Sequence, residues 1–319
     1  VKISIMLEGQ HGLTWPRWQK IADLVDRAGF AGLFRSDHFT DPNPPNLESL
    51  ELVVSLAYLA SHTRQIHFGP CVAPVSFRDP IMFARQAAAL DDLSGGRMIL
   101  GIGAGWQERE HRMFGYPLGD VATRMARFEE ALAVVDLLLR SPEPASYQGQ
   151  FYTLHEAELL PRPQRPGGPL IMIGGNGPKR TLPLTARYAD IWNGVFISPA
   201  DFQERNQALD QHLDAIGRPR SSVQRTLMTG LHYGATIEAL DHKLAWRHER
   251  AELAGTSVDA AVAKLREGER QVVGTTAAVV EQIHAYAAVG VEELFLQWLD
   301  LDDLDGLLSF AEQVLPQVS

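Results

Sequence analysis

The sequence predicts a (β/α)8 barrel. Short apolar segments alternate with longer helical patterns from end to end; eight strand segments can be counted, nearly all separated by helices; and no Pro/Ser-rich linker divides them. Strand-then-helix order requires a parallel sheet, because parallel neighbours need a long crossover and a helix is the usual one. Eight such units suit a closed barrel, with an open doubly wound sheet as the structural rival. The chain has 319 residues, a length that fits one barrel with insertions. The expectation is one domain over 1–319, with a proline-rich excursion near 141–168 and a helical insertion near 236–270.

The elements follow from local chemistry. Residues 2–7 read as the first strand. The helix at 15–28 has Thr14 as N-cap, Pro16 in its first turn and Gly29 past its end. A strand at 30–35, a helix at 47–61 and a strand at 66–72 follow. The helix at 80–93 is closed by Gly95 and Gly96, and a strand at 98–102 comes next. The helix at 123–140 places Phe128, Leu132, Val135 and Leu139 on one stripe. A strand at 170–173, a helix at 179–188 and a strand at 191–195 continue the alternation. The helix at 200–215 is capped by Ser198 with Pro199 in its first position. A strand at 226–233 precedes helical stretches at 236–253 and 258–268, then a helix at 277–288, a strand at 293–298 and a last helix at 304–314.

Charge and composition narrow the function. Lys and Arg number 29 against 39 Asp and Glu, a net charge of −10. That opposes general binding to nucleic acid or to an anionic membrane. A lone cysteine, Cys71, forbids an internal disulfide and any multi-cysteine zinc site. The apolar run at 1–6 is too short for a signal peptide, and no stretch reaches the ~20 apolar residues of a membrane span. A cytoplasmic protein acting on a small molecule is expected. The histidines are scattered without metal-ligand spacing, so no metal is expected.

In a barrel the loops after the strand ends build the site. Those ends carry Glu8, Gln10 and His11; Ser36, Asp37 and His38; Cys71, Val72 and Ala73; the run Gly101 to Trp106; Gly174 to Pro178; Asn193; His232 and Tyr233; and Gln297 and Trp298. Histidine at a strand end suits acid–base work near neutral pH, or a structural hydrogen bond. Gly101-x-Gly103-x-Gly105 lacks the sixth-place glycine of a dinucleotide fingerprint, since Trp106 stands there. The run either admits a flat ring or phosphate close to the backbone, or makes a tight rim turn. Gly174, Gly175, Asn176 and Gly177 lead toward a helix whose first position would be Pro178. Free N–H groups and the helix dipole there make an anion site, with Lys179 and Arg180 adding charge. The stretch Glu108 to His111 reads as a solvated helix face. Trp15, Phe39, Phe77, Trp106 and Trp298 are available to wall an apolar pocket, or are plain packing.

Taken together, several segments resemble the luciferase-like oxidoreductases, and within them the branch that uses the deazaflavin coenzyme F420. They are Ser36-Asp37-His38-Phe39, Gly69-Pro70-Cys71-Val72, the run Gly101 to Trp106, Tyr147-x-Gly149-x-Phe151-Tyr152, Gly174 to Pro178, Ala189 to Asn193, and Gly274-Thr275. They cover nearly the whole chain in the family's order. The resemblance implies a barrel with insertions, often a homodimer, holding F420 or FMN at the top face. Asp37 would contact the ring system and His38 would transfer the proton. Cys71–Val72 would be a non-proline cis peptide backing the ring, beside Ala73. Ala104 and Gly105 would line the cofactor, with Arg109 a turn beyond. Gly174, Gly175, Asn176, Gly177 and Pro178 would hold its phosphate-bearing tail. His11, Trp106, Asn193 and Trp298 would wall the substrate pocket. The helices near 47–61 and 79–93 are the implied dimer face.

Three departures disfavour glucose-6-phosphate as substrate. Trp106 replaces the acid that the family's sugar-phosphate dehydrogenases place after the glycine run. Their tryptophan after the Asp-His pair is absent from Thr40-Asp41-Pro42-Asn43-Pro44, and their phosphate-gripping Thr and Lys are absent from Val195 to Ser198. The expected activity is hydride transfer between F420 and a small organic substrate. An FMN-dependent monooxygenase, which would need a separate reductase, is the alternative. A non-catalytic flavin or phosphate binder is the second.

Overall fold

A computed structural model of the chain describes residues 1–246 and 257–318. The strands are β1 (Lys2–Leu7), β2 (Gly32–Arg35), β3 (His67–Pro70), β4 (Ala73–Pro74), β5 (Ile99–Gly103), β6 (Ala145–Gln148), β7 (Thr153–Ala157), β8 (Leu170–Gly174), β9 (Ile191–Val195), β10 (Gln224–Tyr233), β11 (Val272–Gly274) and β12 (Glu293–Gln297). The helices are α1 (Trp15–Arg27), α2 (Leu52–His62), α3 (Pro80–Ser94), α4 (Glu108–Phe114), α5 (Val121–Arg140), α6 (Thr181–Tyr188), α7 (Pro199–Ala215), α8 (Ile237–Trp246), α9 (Val258–Ala263), α10 (Thr276–Ala288), α11 (Leu304–Gln313) and α12 (Leu315–Val318). The final part of the helix expected at 236–253 lies outside the described residues.

The main sheet runs β3-β2-β1-β12-β10-β9-β8-β5-β4, all parallel. β3 and β4 are two halves of one stave, broken at Cys71–Val72, which is a cis peptide. The lower half bridges toward β5 at Phe68 and Met98, and the upper half pairs with β5 at Ala73 and Pro74. The ring therefore closes on eight staves, a (β/α)8 barrel.

Caps set several boundaries. Ser198 and Asp201 form a reciprocal capping box at α7, satisfying two of its free N–H groups, with Pro199 in the first turn. Asp79 caps α3 ahead of Pro80, and Gly95 ends it in the left-handed conformation at φ 70°. The helix expected from 47 starts at Leu52, because the Glu51 side chain accepts from Val54 N and makes the cap. Thr14 occupies the N-cap of α1 without making a side-chain cap bond.

Two apolar layers hold the fold. One lies between the staves and the helices, around Trp18, Phe68, Phe83, Phe128 and Phe310. The other fills the barrel with Met6, Phe34, Cys71, Ile99, Met172, Ile191, Met228 and Phe295. Phe34 and Phe295 meet there at 4.5 Å between ring centres. Methionines fill the uneven taper of the barrel well because their chains are unbranched.

The proline-rich excursion contains an antiparallel hairpin, β6–β7. It joins a helix to a strand, so it lies at the lower end of the barrel; there Gln164 N donates to Asp92 Oδ1 at the end of α3. The second insertion joins β10 to α10 and lies at the upper end. It rejoins the barrel as β11, paired to the top of β10 at Leu231, His232 and Tyr233.

Candidate active site

A cavity of about 820 Å³ opens at the upper end, where the strands terminate. That volume is in the range of small-molecule sites, about 300–1,000 Å³. Met6 and Met228 rise into it from the barrel interior, Val72 lies on one wall, and polar groups arrive from the strand ends.

His38 follows β2. Its Nδ1 lies 2.8 Å from Glu110 Oε1, and the second carboxylate oxygen accepts the Phe39 N–H at 2.9 Å. Ser49 Oγ donates to the His38 carbonyl at 2.7 Å. Ring and loop are thus clamped from both sides. Facing a carboxylate, Nδ1 carries the hydrogen, which leaves Nε2 as the variable position. Both residues line the cavity. Burial alone would lower the His38 pKa, but the hydrogen bond and charge of Glu110, helped by Glu8 and Asp37, outweigh it and raise it above the ordinary value.

The stretch expected to be solvated is split: Glu108 is exposed and Arg109 half-buried, while the next two residues turn inward. Glu110 and His111 are 1% and 2% exposed. His111 Nδ1 donates to Gln107 O, and its Nε2 receives the Ser76 hydroxyl, each at 2.7 Å. The partners come from distant chain segments, which a local charge pattern cannot show. Glu110 is a cavity-lining residue that sequence reasoning missed. Its cue was three polar groups on one short helix directly after a barrel strand. Gln271, delivered by the upper insertion, was missed too.

The neighbouring Asp37 takes another course. It is buried and held in a two-point pair by Arg78, at 2.8 and 2.9 Å, and does not line the cavity. Arg78 also reaches Glu51 at 2.7 Å. Beneath them Arg35 is fully buried, and burial lowers its pKa to about 10 against the pull of Asp37 and Glu51.

Val72 is backed by glycines. A Cβ on Gly103 would stand 2.7 Å from Val72 Cγ2, and one on Gly174 would stand 3.2 Å from Val72 Cγ1. These two glycines let the wall lie flat. Cys71 lines the cavity with its Sγ 3.7 Å from Asn193 Oδ1, and burial pushes its thiol pKa far up, so it stays a thiol.

Of the residues expected at the site, His11, His38, Cys71, Val72, Ala104, Gly105, Trp106, Gly174, Gly175 and Asn193 meet around the cavity. Trp106 sets its ring edge-on to His38 at 5.5 Å. His11 Nε2 lies 2.7 Å from Asp41 Oδ2. The others are placed elsewhere. Ala73 is buried within β4. Arg109 pins the neighbouring loop through Asp41 O and Asn46 Oδ1, each at 2.7 Å. Asn176 pairs its amide with both backbone groups of Val195. Gly177 and Pro178 lie on the exposed rim, and the helix begins at Thr181 rather than Pro178. The chain needs a further turn here, in which Leu182 N bonds Gly177 O. Trp298 is buried under the upper insertion, with Lys243 Nζ 3.9 Å from its ring centre.

Barrel, upper-end cavity and clamped histidine define a (β/α)8 protein with a cavity of small-molecule size at the strand ends. The chain belongs to the luciferase-like monooxygenase family, whose model matches residues 3–293. It is 34% identical over 203 residues to a phthiodiolone/phenolphthiodiolone dimycocerosates ketoreductase of Mycobacterium kansasii, covering 61% of this chain and 53% of that one. It is 28% identical over 234 residues to an F420-dependent glucose-6-phosphate dehydrogenase of Kineococcus radiotolerans, covering 71% and 68%. The matches span about half the length of the first of these relatives. Among solved structures, an F420-dependent secondary alcohol dehydrogenase in complex with an F420–acetone adduct superposes with TM-score 0.84 at 18% identity, covering 100% and 99% of the two chains. The monooxygenase RslO1 from Streptomyces bottropensis gives 0.82 at 20% identity, covering all of both chains. At these identities the structural likeness shows the fold. Among the described residues no helix is long and apolar enough to cross a membrane.

Proposed function

We propose that this protein is an F420-dependent oxidoreductase that moves a hydride between the deazaflavin and a small organic substrate, with His38 exchanging the accompanying proton. The observation that carries the reading is the His38–Glu110 pair on the wall of the cavity, beside the flat surface of Val72.

The residues fit such a cofactor. Val72 on its glycine backing, with Ala104, Gly105, Gly174 and Gly175, gives a surface free of bulky side chains. The exposed rim from Gly177 to Arg180 suits a phosphate-bearing tail. When bound, the deazaflavin supplies the carbon that takes or gives the hydride. His38 Nε2 has no hydrogen-bond partner among the described residues and faces that space. Neutral, it accepts a proton from a substrate hydroxyl; protonated, it returns one to a carbonyl oxygen. Glu110 fixes the tautomer and stabilises the charged ring.

An FMN-dependent monooxygenase with a separate reductase is the second reading. The family's description as monooxygenases supports that reaction class. A homodimer is part of the proposal. Val54 on α2 and Met82 on α3 are 55% and 54% exposed, which suits a partner surface.

The test is His38→Asn, followed by cofactor absorbance with a panel of alcohols and ketones. Turnover should fall about 10²–10⁴-fold while F420 affinity stays within about threefold. Retained turnover contradicts the role given to His38.

A further inference from the structure

Glu8 follows β1 directly and lies on the cavity wall. Three carboxylates line this space, and two are matched: Glu110 by His38 and Asp41 by His11. Among the described residues Glu8 has no such partner. Among the described residues its oxygens accept neutral amide N–H groups alone, from Gln10 Nε2 at 2.8 Å and from Gln297 Nε2. Among the described residues no Lys or Arg lines the cavity. The buried Arg35 behind Gly9 donates instead to Ser36 O and Ser55 Oγ, on the α2 side of the sheet.

The carboxylate is held deliberately. Gly9 N–H donates to Ser36 Oγ at 2.9 Å, and Ser36 O–H donates to Gln10 Oε1 at 2.7 Å. That bond orients the Gln10 amide so that its N–H points to Glu8. Ser36, Gln10 and Gln297 are all buried, at 3%, 4% and 7% exposure. Three buried polar side chains fix one acceptor, and a carboxylate has about four acceptor positions, so some remain for a ligand.

Position separates this wall from the phosphate end. In the closed ring β1 and β8 stand opposite one another, four staves apart in either direction. The glycine turn and the basic rim residues Lys179 and Arg180 follow β8. Anionic groups of a cofactor have cations at that end. A substrate on the β1 side meets a fixed negative charge in a partly dry space, where charge interactions are strengthened.

Resting on the oxidoreductase reading above, we propose that Glu8 selects the substrate class: a molecule presenting a hydrogen-bond donor on the β1 side, an ammonium best and a hydroxyl next, with carboxylates and phosphates excluded. Glu8 is a specificity residue; its charge also adds to the raised His38 pKa, so its effect is read by binding rather than by turnover.

Three probes of similar shape test this: cyclohexylamine, which is an ammonium at neutral pH, cyclohexanol and cyclohexanecarboxylate. Binding of each is measured by calorimetry to the full chain, with and without saturating cofactor. The ammonium should bind at least about tenfold tighter than the carboxylate, with the alcohol between. In Glu8→Gln the ratio should shrink to within about threefold, and Glu8→Ala should do the same if the first variant folds poorly by circular dichroism. The assignment is overturned by a carboxylate that binds as tightly as the ammonium, by an unchanged ratio in a folded variant, or by no measurable ammonium binding. Failure to bind F420 and FMN overturns the underlying reading instead. Cofactor binding without charge preference overturns Glu8 alone.

Discussion

Glu110 Oε1 lies 2.8 Å from His38 Nδ1, although the two residues are 72 positions apart in the chain. One leaves β2 and the other sits on α4 after β5, and the barrel's curvature brings them to a common wall. The pair turns a strand-end histidine into one with a fixed tautomer and a raised pKa, the features that proton exchange requires.

Removing the acid should therefore cost both rate and stability. In Glu110→Gln, turnover should fall about 10–100-fold with little change in KM, because the charge that stabilises the protonated ring is lost. Stability should fall by about 2–4 kcal/mol, since a buried charge partner is removed. Steady-state kinetics and urea unfolding check the two effects separately.

The same pair sets a pH dependence. A histidine whose pKa is raised by folding contributes stability fully below its unfolded value, about 6.5, and loses it as pH rises through the higher folded value. Melting temperature should fall more steeply across that window in the wild type than in Glu110→Gln. Parallel curves from pH 5 to 9 contradict the raised pKa.

Gly103→Ala should weaken cofactor binding with the fold intact. The new methyl would meet Val72 Cγ2 at 2.7 Å and push it toward the cavity. A loss of about tenfold or more in F420 affinity is expected, read by fluorescence titration beside a circular dichroism spectrum.

Arg78→Met should chiefly destabilise. It leaves Asp37, now held by two bonds, buried and unpaired. Unfolding free energy should drop by about 3–5 kcal/mol. A small effect would indicate that Asp37 finds another partner, such as a bound ring.

Much of this was legible in the sequence. The strands at 2–7 and 191–195 and the Ser198–Pro199 start of α7 needed only apolar runs and cap chemistry. His38 and the glycine runs stood out because each sits at a strand end, whereas the Cys71–Val72 break was expected only from the family resemblance. What escaped depends on contacts between distant segments. Glu110 looked like a surface residue until Phe39 and His38 closed on it. Trp298 looked like a pocket wall until α8 covered it with Lys243. Pro178 looked like a helix start, but the turn it occupies is set by Gly177 O and Leu182 N. The β6–β7 hairpin was hidden in a proline-rich stretch, where strand alternation is short and broken.

The most direct measurement is a titration of the purified, cofactor-free protein with F420 and with FMN, followed by quenching of protein fluorescence. The account predicts micromolar F420 binding and much weaker FMN binding. Tight FMN binding with weak F420 binding would contradict it, and would place the protein with the flavin-dependent monooxygenases of its family.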